Sequence, residues 1–303
     1  MGIAPTVSGG RAIPTFLNGN AFRYYTLRIV IVTMKKTKKV RDKLGRGRGS
    51  SAYTYAMLTA AGIFSFLFVW QMLVQFGILS ERYLAKPTEL LLLFINKFSN
   101  SAPDGATLPV SIWASLQVSL TGLALAIVTG VPLGLCMGWF KGLDKFVTPI
   151  FEVIRPIPPI SWIPLTILWL GIGLKAKAFI IFFSAFIPCV INSYTGIKLT
   201  NKTLINVAKT SGASNVETFI KVGIPSAMPL AFSGIRVALG NAWSTLVAAE
   251  MLAASAGLGY MILMGRLFAR PDVILLGMVV IGAIGAIFNG ALSFVENRVI
   301  KWR

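Results

Sequence analysis

Between Ala52 and Val295 the chain falls into six apolar stretches, most of them reaching the roughly 20 residues that cross a hydrocarbon core of about 30 Å. Of its 303 residues 55% are apolar and only 13% charged, which excludes an ordinary soluble domain. The expected class is an all-α polytopic membrane protein whose helices form one bundle. Its spans are expected at residues 52–79, 112–140, 148–172, 176–197, 227–252 and 273–295. The second is rich in glycine and other small residues, which allow close helix approach.

Charge then orients these spans. The net charge is +19, and residues 1–50 contribute eleven Lys or Arg against one Asp. In a membrane protein such a tail is attracted to anionic lipid headgroups and held in the cytoplasm, and no nucleic-acid reader fold can be traced around it. The apolar patch Tyr24–Met34 is too short to span and lacks a small-residue cleavage site, so a signal peptide is a poor explanation; Met34, followed by KKTKKVRDK, would itself serve as a start. Lys198, Lys202, Lys209 and Lys221 in the loop 198–226, and Arg298, Lys301 and Arg303 at the end, share the tail's side. In the opposite loop Glu81, Glu89 and Asp104 balance Arg82, Lys86 and Lys97. Both termini and the 198–226 loop are therefore expected in the cytoplasm.

Thr203–Pro225, reading TLINVAKTSGASNVETFIKVGIP, is a polar island between two apolar segments. Leu204 and Val207 fall on one face of a first short helix, and Gly212 sits where a left-handed cap would end it. Ser214 followed by Glu217 is the capping-box spacing that opens a second, and Val222, Ile224 and Pro225 close the unit. A membrane protein that keeps so well capped a loop uses it to dock a partner.

Two features mark a path through the bundle. Arg155-Pro156-Ile157-Pro158-Pro159 interrupts the third span, where proline removes backbone hydrogen bonds that protein or cavity water must replace. Arg155 either lines a substrate path or snorkels to headgroups. Glu250, in NAWSTLVAAEML, must face the bundle interior; a structural or gating role is favoured over direct contact with an anion. Asn241 and Ser244 precede it without sharing its stripe, and Gln117 and Trp243 are weaker candidates for the cavity wall. Cys136 and Cys189 lie in apolar segments and read as small hydrophobes, and the chain has no histidine, so neither a metal site nor a disulfide is expected. There is no GxxxxGK[ST], HExxH or GxSxG motif, so the chain is not expected to be an enzyme, and any ATP that drives it must be hydrolysed by another polypeptide.

Asn206-Val207-Ala208, then Gly212, then Val222, Ile224 and Pro225 resemble the EAA loop of ATP-binding-cassette (ABC) importer permeases, with the pattern E-A-A-x3-G-x9-I-x-L-P. Asn206 stands where the pattern has Glu. RPIPPISWIPLTILWLGIG (Arg155 to Gly173) and GNAWSTLVAAEML (Gly240 to Leu252) look like the nitrate, sulfonate and taurine branch, and the wording RPIPP is nearer the sulfonate and taurine members. The resemblance covers roughly residues 55–300. It implies a six-helix type I permease bundle over residues 51–303, with a coupling loop that includes Lys209 and Ala213 and seats on an ATPase subunit. It also implies two ATPase copies holding ATP and Mg, a second copy of this chain, and a periplasmic or lipid-anchored solute-binding protein. No cofactor is expected in this chain, and the setting implied is a bacterial inner membrane. Pro159 and Trp162 join Gln117, Arg155, Asn241, Trp243, Ser244 and Glu250 as candidates for the translocation pathway or gate. The substrate implied is a small anion such as a sulfonate or taurine, with nitrate, bicarbonate, an aromatic carboxylate or a vitamin precursor as alternatives. A secondary transporter or channel would instead show a repeat-related pair of broken helices, and only one is found. A membrane-embedded enzyme would need an acid–base cluster that is absent.

Overall fold

The computed structural model describes residues 54–55, 57–253 and 255–299, so the basic tail 1–50 lies outside the described residues. Every regular element among the described residues is helical. The first, α1, spans Met57–Gln75 and straddles the boundary between two units, Met1–Val69 and Trp70–Arg303. Its first part carries exposed apolar side chains such as Phe64 and Phe66. In the second unit Val74 is buried and Trp70 packs on a cluster described below.

The remaining elements follow in order: α2 (Pro87–Asn96), α3 (Leu108–Trp139), α4 (Lys141–Ile154), a 3-10 turn (Pro159–Trp162), α5 (Ile163–Leu170) and α6 (Leu174–Lys198). Then come α7 (Lys202–Thr210), α8 (Asn215–Thr218), a π turn (Phe219–Gly223), α9 (Ile224–Ala253), α10 (Leu258–Leu267) and α11 (Pro271–Val299). α1, α3, α6, α9 and α11 are long and apolar enough to cross a membrane. The expected third span differs from a simple crossing. Its helix begins at Lys141 rather than near 148, and α4 and the segment Pro159–Leu170 meet at 83°. Pro158 and Pro159 supply no N–H, and Pro159 holds the residue before it out of the helical region, with Pro158 at ψ 133°.

The core is a layer in which α6 lies between α3 and α9. Val118, Ala126, Ile181, Ala185, Cys189, Ala238, Ala242 and Leu246 fill it. The helices approach closely because glycine faces the seam: a Cβ on Gly122 would lie 2.7 Å from the Ala178 carbonyl, and one on Gly138 would lie 2.7 Å from Ile197. At the end away from α7, a second cluster joins α2, α10 and α11 through Leu90, Leu258, Met261, Val273 and Leu276.

Sequence periodicity missed α2 and α10, each only 10 residues long. The loop containing α2 also holds a charge pair that its even balance of signs conceals. Lys97 and Asp104 are buried and form an ion pair, and the Lys97 ammonium also donates to the carbonyls of Ala102 (3.0 Å) and Ala106 (2.9 Å).

Candidate functional site

The polar island folds as two capped helical segments. Asn201 caps α7 by accepting the Thr203 N–H at 2.8 Å. At the other end Gly212 adopts φ 87°, its N–H bonds the Lys209 carbonyl, and the Ala213 N–H reaches back to Ala208, both at 3.0 Å. That is a full Schellman motif, and a positive φ is why glycine stands there. Ser214 and Glu217 close a reciprocal capping box, with bonds of 3.1 and 3.2 Å. Pro225 does not close the unit as the sequence suggests. The π turn runs straight into α9, so Pro225 lies inside a continuous helix, directly after the π turn.

This continuity is anchored at the π turn. Phe219 is buried, with ring centroids 5.5 Å from both Trp139 and Phe140 at the end of α3. Gly223 lets the Trp139 ring approach, since a Cβ there would lie 3.0 Å from it. The outer face is different. Leu204, Val207, Val216 and Ile220 are each at least half exposed, and Leu204, Val207, Ala208, Val222 and Pro225 line a groove of about 760 Å3. Asn206, Lys209 and Gly212 lie exposed on the loop, and Ala213 is partly covered. An element rigidly joined to α9 thus presents an apolar groove edged by polar side chains.

A second cavity, about 570 Å3, opens between the broken span, α6 and α9. It brings together four of the pathway candidates, Arg155, Pro159, Asn241 and Ser244. Arg155 is half exposed and shares its guanidinium with Glu152 at 3.4 Å, an i,i+3 pair at the end of α4. The other candidates lie elsewhere. Gln117 is exposed on α3, and Trp162 packs on Phe183 with centroids 5.0 Å apart. Trp243 is buried, donating its indole N–H to the Ile281 carbonyl at 3.0 Å and meeting Phe288 edge-on. Sequence reading missed Ser184, Asn192 and Thr245, which also line the cavity. The signal available was their polarity in apolar helices, with Ser184 and Asn192 eight residues apart and so on one face of α6.

Glu250 belongs to neither place. It is 1% exposed, near the end of α9 away from α7. Ser115 of α3 reaches its two carboxylate oxygens at 2.8 and 2.9 Å, and the Gly259 N–H donates to it at 2.9 Å. Ser115 in turn accepts the Leu258 N–H at 2.8 Å, so the carboxylate and the hydroxyl together cap α10. Lys177 is buried near the start of α6. Gly257 and Gly259 make room: a Cβ on Gly257 would lie 2.5 Å from the Glu250 carboxyl carbon. The GLG run seven residues after Glu250 was the signal in the sequence.

Comparison with known proteins agrees with this architecture. Residues 126–301 match the family described as binding-protein-dependent transport system inner membrane component. A putative ABC transporter permease of Methanocaldococcus jannaschii is 35% identical over 78% of this chain and 88% of its own length. The taurine transport system permease of Escherichia coli K12 is 32% identical over 78% of this chain and 86% of its own. Among solved structures, the inward-facing methionine ABC transporter superposes with a TM-score of 0.52 at 20% identity, over 63% of this chain and 93% of its own, and so shares the fold. The apolar helices, the capped loop and these matches together place the chain in the binding-protein-dependent transport system inner membrane component family, as the non-enzymatic permease subunit of an ABC importer whose ATPase and substrate-binding protein are separate chains.

Proposed function

We propose that two copies of this chain form the pore of an importer for a small sulfonate- or taurine-like anion, each copy resting its Thr203–Pro225 loop on one of two ATPase subunits. ATP and Mg are bound by those subunits, and a periplasmic or lipid-anchored binding protein delivers the solute to the opposite face. Both termini and the 198–226 loop lie in the cytoplasm, following the distribution of Lys and Arg. The observation that carries this reading is the uninterrupted helix from the capped loop through the π turn into α9, packed on α3 by Phe219. Such a joint converts a push on the loop into a tilt of the bundle, as alternating access driven by ATP requires. The substrate class follows the taurine permease relative and the Arg155 cavity, with Arg155, Pro159, Asn241 and Ser244 on the path and Glu250 holding the bundle at its other end.

The test is reconstitution. The chain should copurify with an ATPase at equal stoichiometry, and taurine uptake into proteoliposomes should need ATP and the binding protein. Uptake by the chain alone would sink the reading.

A further inference from the structure

The cavity between the broken span, α6 and α9 contains more hydrogen-bond donors than packing needs. Its polar lining is Arg155, Ser184, Asn192, Asn241, Ser244 and Thr245, with no carboxylate among the residues that line it. Ser184 and Thr245 lie 2.8 Å apart, hydroxyl to hydroxyl, and both are buried. One hydrogen serves that contact, so one hydroxyl of the pair keeps a hydrogen to give. Asn192 donates one amide hydrogen to the Pro188 carbonyl at 2.9 Å, which fixes its rotamer and leaves the second free. Asn241, exposed in the cavity wall, has two amide hydrogens to offer. Ser244 differs: its hydroxyl donates to the Gly240 carbonyl at 3.0 Å and serves as wall.

Charge points the same way. Arg155 stands between two cavities: it lines this one without its partner Glu152, and it lines the neighbouring one together with Glu152, Thr148 and Tyr194. The pair is about half exposed and 3.4 Å apart, a weak surface contact that an arriving anion can displace. Pro158, Pro159 and Ile187 add apolar lining, and the volume of about 570 Å3 is in the range of small-molecule sites.

We propose that this cavity is an oxyanion station on the transport path, where Asn192, Asn241 and the Ser184–Thr245 pair donate hydrogen bonds to the sulfonate or similar oxyanion group of a small solute, and Arg155 supplies the charge. The assignment rests on the permease reading and adds to it the donors that select for anions. A cation of the same size would meet Arg155 and no carboxylate.

Thiol labelling of the assembled importer tests this. In a Cys136→Ala, Cys189→Ala background, Ser244→Cys and, separately, Ile187→Cys are treated with membrane-impermeant methanethiosulfonates bearing either a sulfonate or a trimethylammonium group. Rates are normalised to free cysteine. The sulfonate reagent is expected to react about tenfold faster than the cationic one, as a cleft with one sign of charge concentrates its counter-ion. Adding Arg155→Gln should reduce that preference severalfold. Equal or cation-favouring rates, absence of labelling at both positions, or a preference unchanged by Arg155→Gln would each overturn the station. Copurification of the ATPase, measured on every variant, reports separately on the permease reading.

Discussion

Ser115 and Glu250, 135 positions apart in sequence, meet at 2.8 Å in the interior and hold the start of α10 between them. The serine is the smallest side chain that can accept the Leu258 N–H and donate to the carboxylate at once. The carboxylate takes the next N–H, from Gly259. Three helices, α3, α9 and α10, are therefore tied by one buried polar knot.

Glu250→Ala should destabilise the protein strongly. It removes the acceptor for the Gly259 N–H and the Ser115 hydroxyl and empties the space around them; together these cost about 3 kcal/mol. Glu250→Gln keeps a carbonyl for Gly259 and an amide hydrogen for Ser115, so its loss should be about 1 kcal/mol. Thermal unfolding of the purified importer in detergent would order the variants parent, Gln, Ala. An Ala variant melting with the parent would show that the knot does not hold α10.

Two glycine substitutions contrast a position that requires glycine with one that does not. Gly257 has φ 134°, and a Cβ there would strike the Glu250 carboxyl group at 2.5 Å. Gly257→Ala should therefore abolish folded expression or lower the melting temperature sharply. Gly240, within α9, has open space where a methyl group would stand, with nothing within 4 Å. Gly240→Ala should therefore be neutral or stabilising by up to about 1 kcal/mol through helix propensity. Size-exclusion profiles and melting curves of the two variants make the comparison; equal behaviour would refute it.

How far the fold and the site could be read from sequence depended on the range of the signal. The long spans and the two caps of the loop were legible because hydropathy, Gly212, Ser214 and Glu217 act within a few residues. The bend after Ile154 was half legible: the prolines announced a break, but local signals carry no information on its 83° angle. The join of the loop to α9 was not legible, because Pro225 reads as a terminator, whereas the structure carries the helix through it, with Phe219 buried just before. Asn241 and Glu250 sit nine residues apart on one helix, about half a turn from each other around its axis, so periodicity already separates their faces. What each face meets, the cavity or the knot with Ser115, depends on the positions of α3 and α6, which distant contacts fix.

Gly212 offers a test of coupling that leaves packing alone. Within the chain no atom lies within 4 Å of a Cβ built there, so substitution strains the loop through its φ of 87° rather than through its own packing. Asn tolerates that region while a β-branched residue does not, with a penalty of about 1–3 kcal/mol. Gly212→Asn should retain ATPase binding and uptake, whereas Gly212→Val should distort the Schellman cap and uncouple ATP hydrolysis from uptake. Hydrolysis and uptake measured on the same proteoliposomes give the ratio. Coupled transport by the Val variant would count against the loop as the transmission element.

The buried pair Lys97–Asp104 gives the last test, because breaking it and replacing it have opposite consequences. Lys97→Met leaves the Asp104 carboxylate buried without its counter-charge, at a cost of about 3–5 kcal/mol. Lys97→Met with Asp104→Leu removes both charges and should regain much of that loss, though the Ala102 and Ala106 carbonyls still lack the ammonium that bound them. The double variant should therefore melt between the single variant and the parent. If it melts no higher than the single variant, the hydrogen bonds to the two carbonyls, rather than the ion pair, hold the turn that leads from α2 into α3.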